Sequence, residues 1–572
     1  MDVRIIGGLA LVCAIVVVAG VLFYNFDFNT PGVNDSGSNI ENTTNNDINN
    51  TSTNQQALTL LPDIQPGPNP GPSPSPGPSP GPGPSPDPTP DPMDRIISLF
   101  DEYLNKYYDQ SLMPGMAVVI VKDGKIIYLN TLGVKDLASG APVDENTLFG
   151  ICSISKQFTS TNIAQLIDKG LMSWDDPISK YYSVPDEFLL YNDLYVSNNI
   201  TIRDILMHNS GLANEEGNEL TYFNYSFSDT IFKLRYVRNI TPFRENFHYN
   251  SVTYALGGYS AARVTNTTWD ELIKKELLEP LGMTSTVTSF WDFLSSPNHV
   301  TPYKLLKNGT MVPYDIIPDT VGPAGSIYSS ISEMANWLKF QINNTGYYNG
   351  VQIVSKKELD ETRIPQIQVD ENDFLRLYGS KYGLGWFIDD ALGHPYNVNH
   401  PGDSSDFHAQ ITVYPSKNLG MVILTNGGTY ASSFRNILDA KFKQLLTGNE
   451  NIDLWPATKD YLDAIWKPVP PTPPYVAPRN LTSYVGVYSN LFYGNINVTI
   501  NGNNLACHYG TNKRIFNLEH WSGDVFNDPY NDFTLNFTAI SNGKTNNLTV
   551  TLQDYTTSPP NSTTTFNRTK TV

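Results

Sequence analysis

The 572-residue chain carries 37 Lys and Arg against 56 Asp and Glu, a formal net charge of −19, with 40% apolar and 12% aromatic residues. That is a globular composition, long enough for several modules of roughly 100–200 residues. Neutralising a phosphate backbone takes clustered Lys and Arg, and no long basic run is present, so no nucleic-acid partner is expected. Of the three cysteines, Cys13 falls in an apolar run, which leaves Cys152 and Cys507 with at most one internal disulfide and no Cys-based metal site. Neither a metal nor a cofactor is expected.

The first element is membrane-directed. Residues 1–4 precede an uncharged run from Ile5 to Tyr24. At ~1.5 Å rise per residue, about twenty residues span the ~30 Å hydrocarbon core. Arg4 before the run and Asp27 after it place the N-terminus in the cytoplasm and the rest of the chain outside, as a single-pass membrane protein. Val18-Ala19-Gly20 is a weak cleavage site, so a cleaved and secreted form is the competing reading. Residues 25–65 are rich in Asn, Thr, Ser and Asp and have no apolar core, which predicts disorder. From 66 to 92 proline alternates with small or polar residues, and polyproline II at ~3.1 Å per residue makes this a stalk. Sequons such as Asn42-Thr43-Thr44, Asn199-Ile200-Thr201 and Asn497-Val498-Thr499 fit an exterior glycoprotein, although an Asn- and Thr-rich chain also produces them by chance.

Residues 93–455 read as the main domain. Ile96, Ile97, Phe100, Tyr103, Leu104 and Tyr107 recur at helical spacing from Met93 to Tyr108, before Pro114. Met116–Val121 and Lys125–Leu129 are strand-like and meet at Asp123-Gly124, a hairpin signal. Mainly helical patterns and long loops follow. A second hairpin, Ala409–Tyr414 with Gly420–Thr425, then leads into an amphipathic helix from Ser432 to Leu446. The expected fold class is α+β: an antiparallel sheet flanked by helices, with a helical insertion. Residues 456–478, proline-rich from Lys467, read as a linker. In 479–572, short strands alternate with Asn-Gly turns (Tyr484–Tyr488, Ile496–Ile500, Phe533–Phe537, Leu548–Leu552), predicting a small all-β barrel or sandwich.

The chemistry concentrates around Ser153-Ile154-Ser155-Lys156, an S-x-x-K motif running into a helical pattern that ends near Gly170. At a helix start, Ser153 and Lys156 lie one turn apart on nearly the same face, and the amine can assist proton transfer if desolvation lowers its pKa from ~10.4. A second match, Ser541-Asn542-Gly543-Lys544, sits at an Asn-Gly turn where no helix can begin. Longer stretches accompany the first match: Thr201 to Leu212 (with His208-Asn209-Ser210-Gly211), Phe247-His248-Tyr249-Asn250-Ser251, Gly322 to Ser330, Tyr382-Gly383-Leu384-Gly385-Trp386 and His400-Pro401-Gly402. On these residues the region resembles the serine β-lactamase and penicillin-binding-protein-like hydrolases, closest to the class C β-lactamase-related group. The last module is similar to the barrel domain often appended to them.

The resemblance implies that Ser153 is the acylated nucleophile, Lys156 its proton-shuttling partner and Tyr249 the tyrosine that shares the base role and protonates the leaving group. It implies substrate-binding or oxyanion roles for Ser251, His400, Gly402 and Asp403, with the backbone N–H groups of Ser153 and Asp403 forming the oxyanion hole. Ser251 stands where the family usually has asparagine, and His400 where many relatives have the lysine of Lys-Thr-Gly. An imidazole with an ordinary pKa of ~6.5 pairs a substrate carboxylate poorly at pH 7. That predicts ester turnover, with β-lactam hydrolysis that is slower and improves toward pH ~6 as His400 gains a proton. His208 is expected to be structural, and Cys152 is the rival nucleophile. The substrate is then a small-molecule or peptide acyl compound: an ester, amide, β-lactam or D-amino-acid peptide. The reading from another class is a catalytically silent surface-binding protein on the same fold.

Overall fold

The computed structural model describes residues 91–570, except 222, 307–308, 315–318, 392, 466–475, 512–514, 529–532, 542 and 554–560. The expected anchor, the Asn/Thr-rich segment and almost all of the stalk therefore lie outside the described residues, as does the middle of the second linker. Among the described residues no helix is long and apolar enough to cross a membrane.

Helix α1 (Pro92–Tyr107) begins where the Asp91 side chain accepts a hydrogen bond from the Met93 N–H, with proline at the first helical position. It buries Phe100, Tyr103, Leu104 and Tyr107, the stripe that the spacing predicts. Strands β1 (Gly115–Lys122) and β2 (Lys125–Gly133) turn at Asp123-Gly124, both with positive φ, as a two-residue hairpin loop of this hand requires. The helical insertion that follows contains α2 (Ser155–Asp168), α3 (Ser251–Thr265) and α4 (Ile331–Asn343). Then come β3 (Ile367–Gln368), β4 (Lys381–Tyr382), β5 (Phe387–Asp389), β6 (Asn397–Asp403), β7 (Phe407–Tyr414) and β8 (Leu419–Asn426), and helix α5 (Thr429–Leu446).

These strands form one antiparallel sheet in the order β2-β1-β8-β7-β6-β5-β4-β3, so the N-terminal hairpin pairs with the C-terminal one through β1 and β8. Both faces are covered, and therefore β1 reads as an unbroken apolar run rather than an alternating one. Met116, Val118 and Ile120 pack with α1 and α5, while Ala117, Val119 and Val121 join the core shared with α2 and α4. Each Met, Val or Ile among them contributes roughly 1.5–3 kcal/mol by leaving water.

Helix α6 (Trp455–Ile465) is a departure from the sequence reading, because it occupies positions where the linker was expected to begin. Trp455 and Leu462 belong to the α1/α5 core, and the Tyr430 hydroxyl donates to Asp463 at 2.8 Å. Leu454, just before the helix, joins the same core, so three apolar side chains dock α6 against α1 and α5.

The last module is a nine-stranded sheet with β9 (Gly486–Asn490), β10 (Gly494–Asn501), β11 (Asn504–Tyr509), β12 (Phe516–Asn517), β13 (Glu519–Ser522), β14 (Val525–Asn527), β15 (Phe533–Ser541), β16 (Lys544–Gln553) and β17 (Asn561–Lys570). Its order is β12-β11-β10-β9-β17-β16-β15-β14-β13, and its two outermost strands are joined in the chain by Leu518 alone, so the sheet is barrel-like and nearly closed. Tyr484 precedes the first strand rather than lying in it, since its hydroxyl is tied to Asp524 at 2.7 Å and to the Arg479 N–H at 2.8 Å. Ser541 and Lys544 are cross-strand neighbours at a hairpin end, away from any helix start.

Candidate active site

Ser153 lies in a single 3-10 turn, Cys152–Ile154, that runs directly into α2. Cys152 holds a left-handed φ of 47°, which costs a non-glycine residue local strain and bends the chain sharply before Ser153. The strand β6 passes tightly against this bend. A Cβ on Gly402 would meet the Ile151 carbonyl oxygen at 2.1 Å and the Cys152 Cβ at 3.3 Å, so only glycine fits there. Gly402 thereby brings the peptide of Asp403 beside the Ser153 turn. Ser153 itself is only partly buried, whereas its neighbours Cys152 and Ile154 are enclosed.

Lys156, one turn into the helix, is fully buried. Its Nζ lies 3.1 Å from Ser153 Oγ, 3.2 Å from Ser251 Oγ and 3.0 Å from the Ala324 carbonyl oxygen. Those three contacts saturate an ammonium; an amine that has lost one proton keeps two donors and turns a lone pair toward the Ser153 hydroxyl. Desolvation lowers Lys156 to about 7, against the Glu215 carboxylate, which raises it.

Tyr249 stands over Lys156, with Nζ 4.6 Å from its ring centroid. Burial first, then the Glu215 charge, push its hydroxyl well above its ordinary value while a hydrogen bond with Ser153 pulls the other way, so the phenol stays protonated. Asn250 caps α3 by accepting from the Thr253 N–H at 2.9 Å, which aims the flanking Tyr249 and Ser251 toward Lys156. The structure thus brings Ser153, Lys156, Tyr249 and Ser251 into one cluster.

His400 behaves differently from the expectation. It is fully buried behind Tyr249, with ring centroids 6.0 Å apart. Nδ1 lies 2.6 Å from the Pro401 carbonyl and must donate there, leaving Nε2 to accept from the Tyr382 hydroxyl at 3.0 Å. Burial, reinforced by the neighbouring Lys156 charge, lowers its pKa to about 3. His400 is a neutral structural imidazole across the working pH range, so it neither titrates near pH 6 nor pairs with a substrate carboxylate. His208 is likewise buried and accepts from the Asn250 N–H through Nδ1 at 3.1 Å, a structural role.

The Asp403 side chain points away from any substrate role. Desolvation would raise it, but Arg435 at 3.0 Å and His408 at 2.7 Å hold it well below the usual carboxylate range. Its contribution beside Ser153 is confined to its backbone. As for Cys152, burial pushes its thiol far up and Sγ sits against the Phe407 carbonyl, so it is a packed thiol rather than a poised nucleophile.

Two residues escape the sequence reading. Arg435, from α5, is completely buried and anchors Asp403. Glu215 accepts from both the Ser251 hydroxyl (2.8 Å) and the Ser251 backbone N–H (3.0 Å). In sequence, Asn214-Glu215-Glu216 has the appearance of a solvated loop, and no local signal marks the middle carboxylate as buried. Among the described residues no cluster of His, Cys, Asp and Glu is arranged to hold a metal ion.

An S-x-x-K pair at a helix start, set against an antiparallel sheet and faced by a tyrosine from the helical half, defines the β-lactamase and penicillin-binding-protein class of fold. The chain belongs to the Beta-lactamase family, which matches residues 100–445; residues 470–565 match a domain of unknown function, DUF3471. It is 27% identical over 318 residues to Protein flp of Staphylococcus aureus, an alignment covering 55% of this chain and 60% of that protein. It is also 26% identical over 352 residues to an unguisins hydrolase of Aspergillus campestris, covering 58% and 62% respectively. The match thus spans about 60% of the length of such curated relatives. Among solved structures, an octameric penicillin-binding protein homologue from Pyrococcus abyssi aligns with a TM-score of 0.53 at 24% identity, over 80% of this chain and 96% of that one, a likeness of fold.

Proposed function

We propose that the protein is a serine hydrolase that works through an acyl-enzyme, preferring esters and uncharged amides. The observation that carries this reading is the buried Lys156, held near neutrality and within hydrogen-bond reach of Ser153 Oγ. In acylation, Ser153 Oγ bonds to the substrate carbonyl carbon as its proton passes to the Lys156 amine. The developing oxyanion is held by the N–H groups of Ser153 and Asp403, each donor typically contributing ~2.7–4 kcal/mol. The bond to the leaving group then breaks, and that group takes a proton from Tyr249, which Lys156 replenishes. Water reverses the sequence to release the acid.

The preference follows from charge. A substrate carboxylate needs a cation, yet His400 is neutral and buried and Arg435 is already paired with Asp403. Esters and uncharged amides need no such partner. With the sequence's apolar N-terminal run and proline-rich stalk, we place the enzyme on the outer side of a membrane. The test is kcat/KM for p-nitrophenyl acetate and nitrocefin between about pH 5.5 and 8.5, which brackets the Lys156 titration. Ester turnover should lead and rise with pH through about 7, since the amine acts as base only when unprotonated. Nitrocefin turnover ahead of the ester at every pH would make β-lactamase the better reading.

A further inference from the structure

Ser251 stands where this family usually carries an asparagine, and the structure shows what the substitution connects. Lys156 Nζ reaches Ser251 Oγ at 3.2 Å, and Ser251 passes its own proton toward Glu215 Oε1 at 2.8 Å. The second carboxylate oxygen accepts the Ser251 backbone N–H at 3.0 Å. That N–H is one of the free donors at the start of a fifteen-residue helix, where the aligned peptide dipoles favour an anion. The Glu215 backbone is fixed as well, its N–H donating to the Tyr249 carbonyl at 2.7 Å. The carboxylate is therefore held at both oxygens, one hydroxyl away from Lys156 Nζ.

The other titratable groups facing Lys156 are Cys152 from the turn, His208 from the loop after Leu206, Tyr249 and Tyr254 at α3, and His400 from β6. Burial raises the thiol and both phenols and lowers both imidazoles, so all five are neutral near pH 7. Asp403 is an anion too, but it is paired with Arg435; Glu215 is the carboxylate joined to Lys156 by a hydrogen-bond chain, and its charge acts directly on that lysine.

We infer that Glu215, acting through the Ser251 hydroxyl, is a positioning residue that serves as counter-ion to the ammonium formed when Lys156 takes the Ser153 proton. The inference rests on the proposed acyl-enzyme reaction. The Lys156–Ser251–Glu215 chain takes over the orienting of the lysine left vacant by the missing asparagine, and it adds a fixed charge that an amide would not supply. The amine is aimed at Ser153 by the hydroxyl, and the positive charge that builds on it during acylation meets a carboxylate already in place.

The experiment is the pH profile of p-nitrophenyl acetate kcat/KM for wild type, Glu215→Gln, Glu215→Asp and Ser251→Ala. Glu215→Gln keeps the size and hydrogen-bonding capacity of the side chain but removes its charge. Lys156 then loses its raising partner, and the ascending limb should move about one unit toward lower pH, the lower end of what an adjacent opposite charge produces. The plateau should fall at least tenfold, and Glu215→Asp should return the limb toward its wild-type position. A limb that stays in place while the plateau falls would show only a structural role and overturn the inference. If Glu215→Gln does not melt as a folded protein, Ser251→Ala carries the test: a tenfold lower plateau supports the chain, and a plateau within twofold of wild type overturns it. Wild-type protein that forms no acyl adduct on Ser153 would instead overturn the acyl-enzyme reading.

Discussion

Substituting Gly402 by alanine probes the contact that puts β6 against the Ser153 turn. The added Cβ would stand 2.1 Å from the Ile151 carbonyl oxygen, 3.1 Å from its carbon and 3.3 Å from the Cys152 Cβ. The closest partner is backbone and cannot rotate away, so strand and turn must part by about 1 Å to restore an ordinary carbon–oxygen contact of roughly 3.3 Å. Overpacking of this kind costs about 1–3 kcal/mol of stability. The catalytic cost should be larger, because a displacement near 1 Å moves the Asp403 N–H away from the oxyanion position, and errors of that size cost on the order of 10²-fold. The assay is burst and steady-state hydrolysis of p-nitrophenyl acetate, with thermal melting to confirm the fold. A folded Gly402→Ala protein with kcat/KM within threefold of wild type would refute the argument that this close approach builds the oxyanion wall.

Tyr249→Phe keeps the ring over Lys156 and deletes the hydroxyl, so kcat for the ester should fall on the order of 10²–10⁴-fold with melting unchanged, as read by stopped-flow and calorimetry. Arg435→Ala leaves Asp403 without its buried cation and should destabilise the fold by about 3 kcal/mol in a urea titration. Because the folded-state pKa of Asp403 is depressed, the stability it contributes is complete above the unfolded value of ~3.9 and lost as pH falls below it, which acid-melting curves of wild type and Asp403→Asn should separate. A chain beginning at Asp91 should fold with the wild-type melting temperature, since it keeps the side chain that caps α1, and the core partners of that helix lie in α5 and α6; aggregation of that chain would contradict this.

The frame of the molecule was readable from the sequence wherever local pattern and tertiary burial agree. The hairpin is marked by its Asp123-Gly124 turn between two apolar runs, and the helix over Phe100 and Tyr107 and the strands of the last module carry helical or period-2 spacing that their packing then uses. The same holds for the site's near neighbours in sequence: Ser153 and Lys156 share a turn whatever surrounds them. What the sequence concealed depends on distant contacts. Glu215 looks like one of several loop acids, and only the N-terminus of α3 arriving against it makes a buried site for its charge. Arg435 sits in an otherwise ordinary amphipathic helix, and its role appears only when Asp403 is packed beneath it. His400 shows the opposite error. Residue type suggested a titrating group, but the Tyr382 hydroxyl, the Pro401 carbonyl and complete burial fix it as neutral. Helix α6 occupies the start of the expected linker because Leu454, Trp455 and Leu462 dock it into the α1/α5 core, a contact that depends on distant elements.

The claim on which the rest depends is that Ser153 is the residue acylated. Intact-mass spectrometry after treatment with a fluorophosphonate should show one adduct on the wild type and on Cys152→Ala, whose thiol is buried and held far from ionisation. Ser153→Ala should show none. An adduct of equal stoichiometry on the Ser153→Ala protein, or its loss from Cys152→Ala alone with the fold intact, would contradict the account.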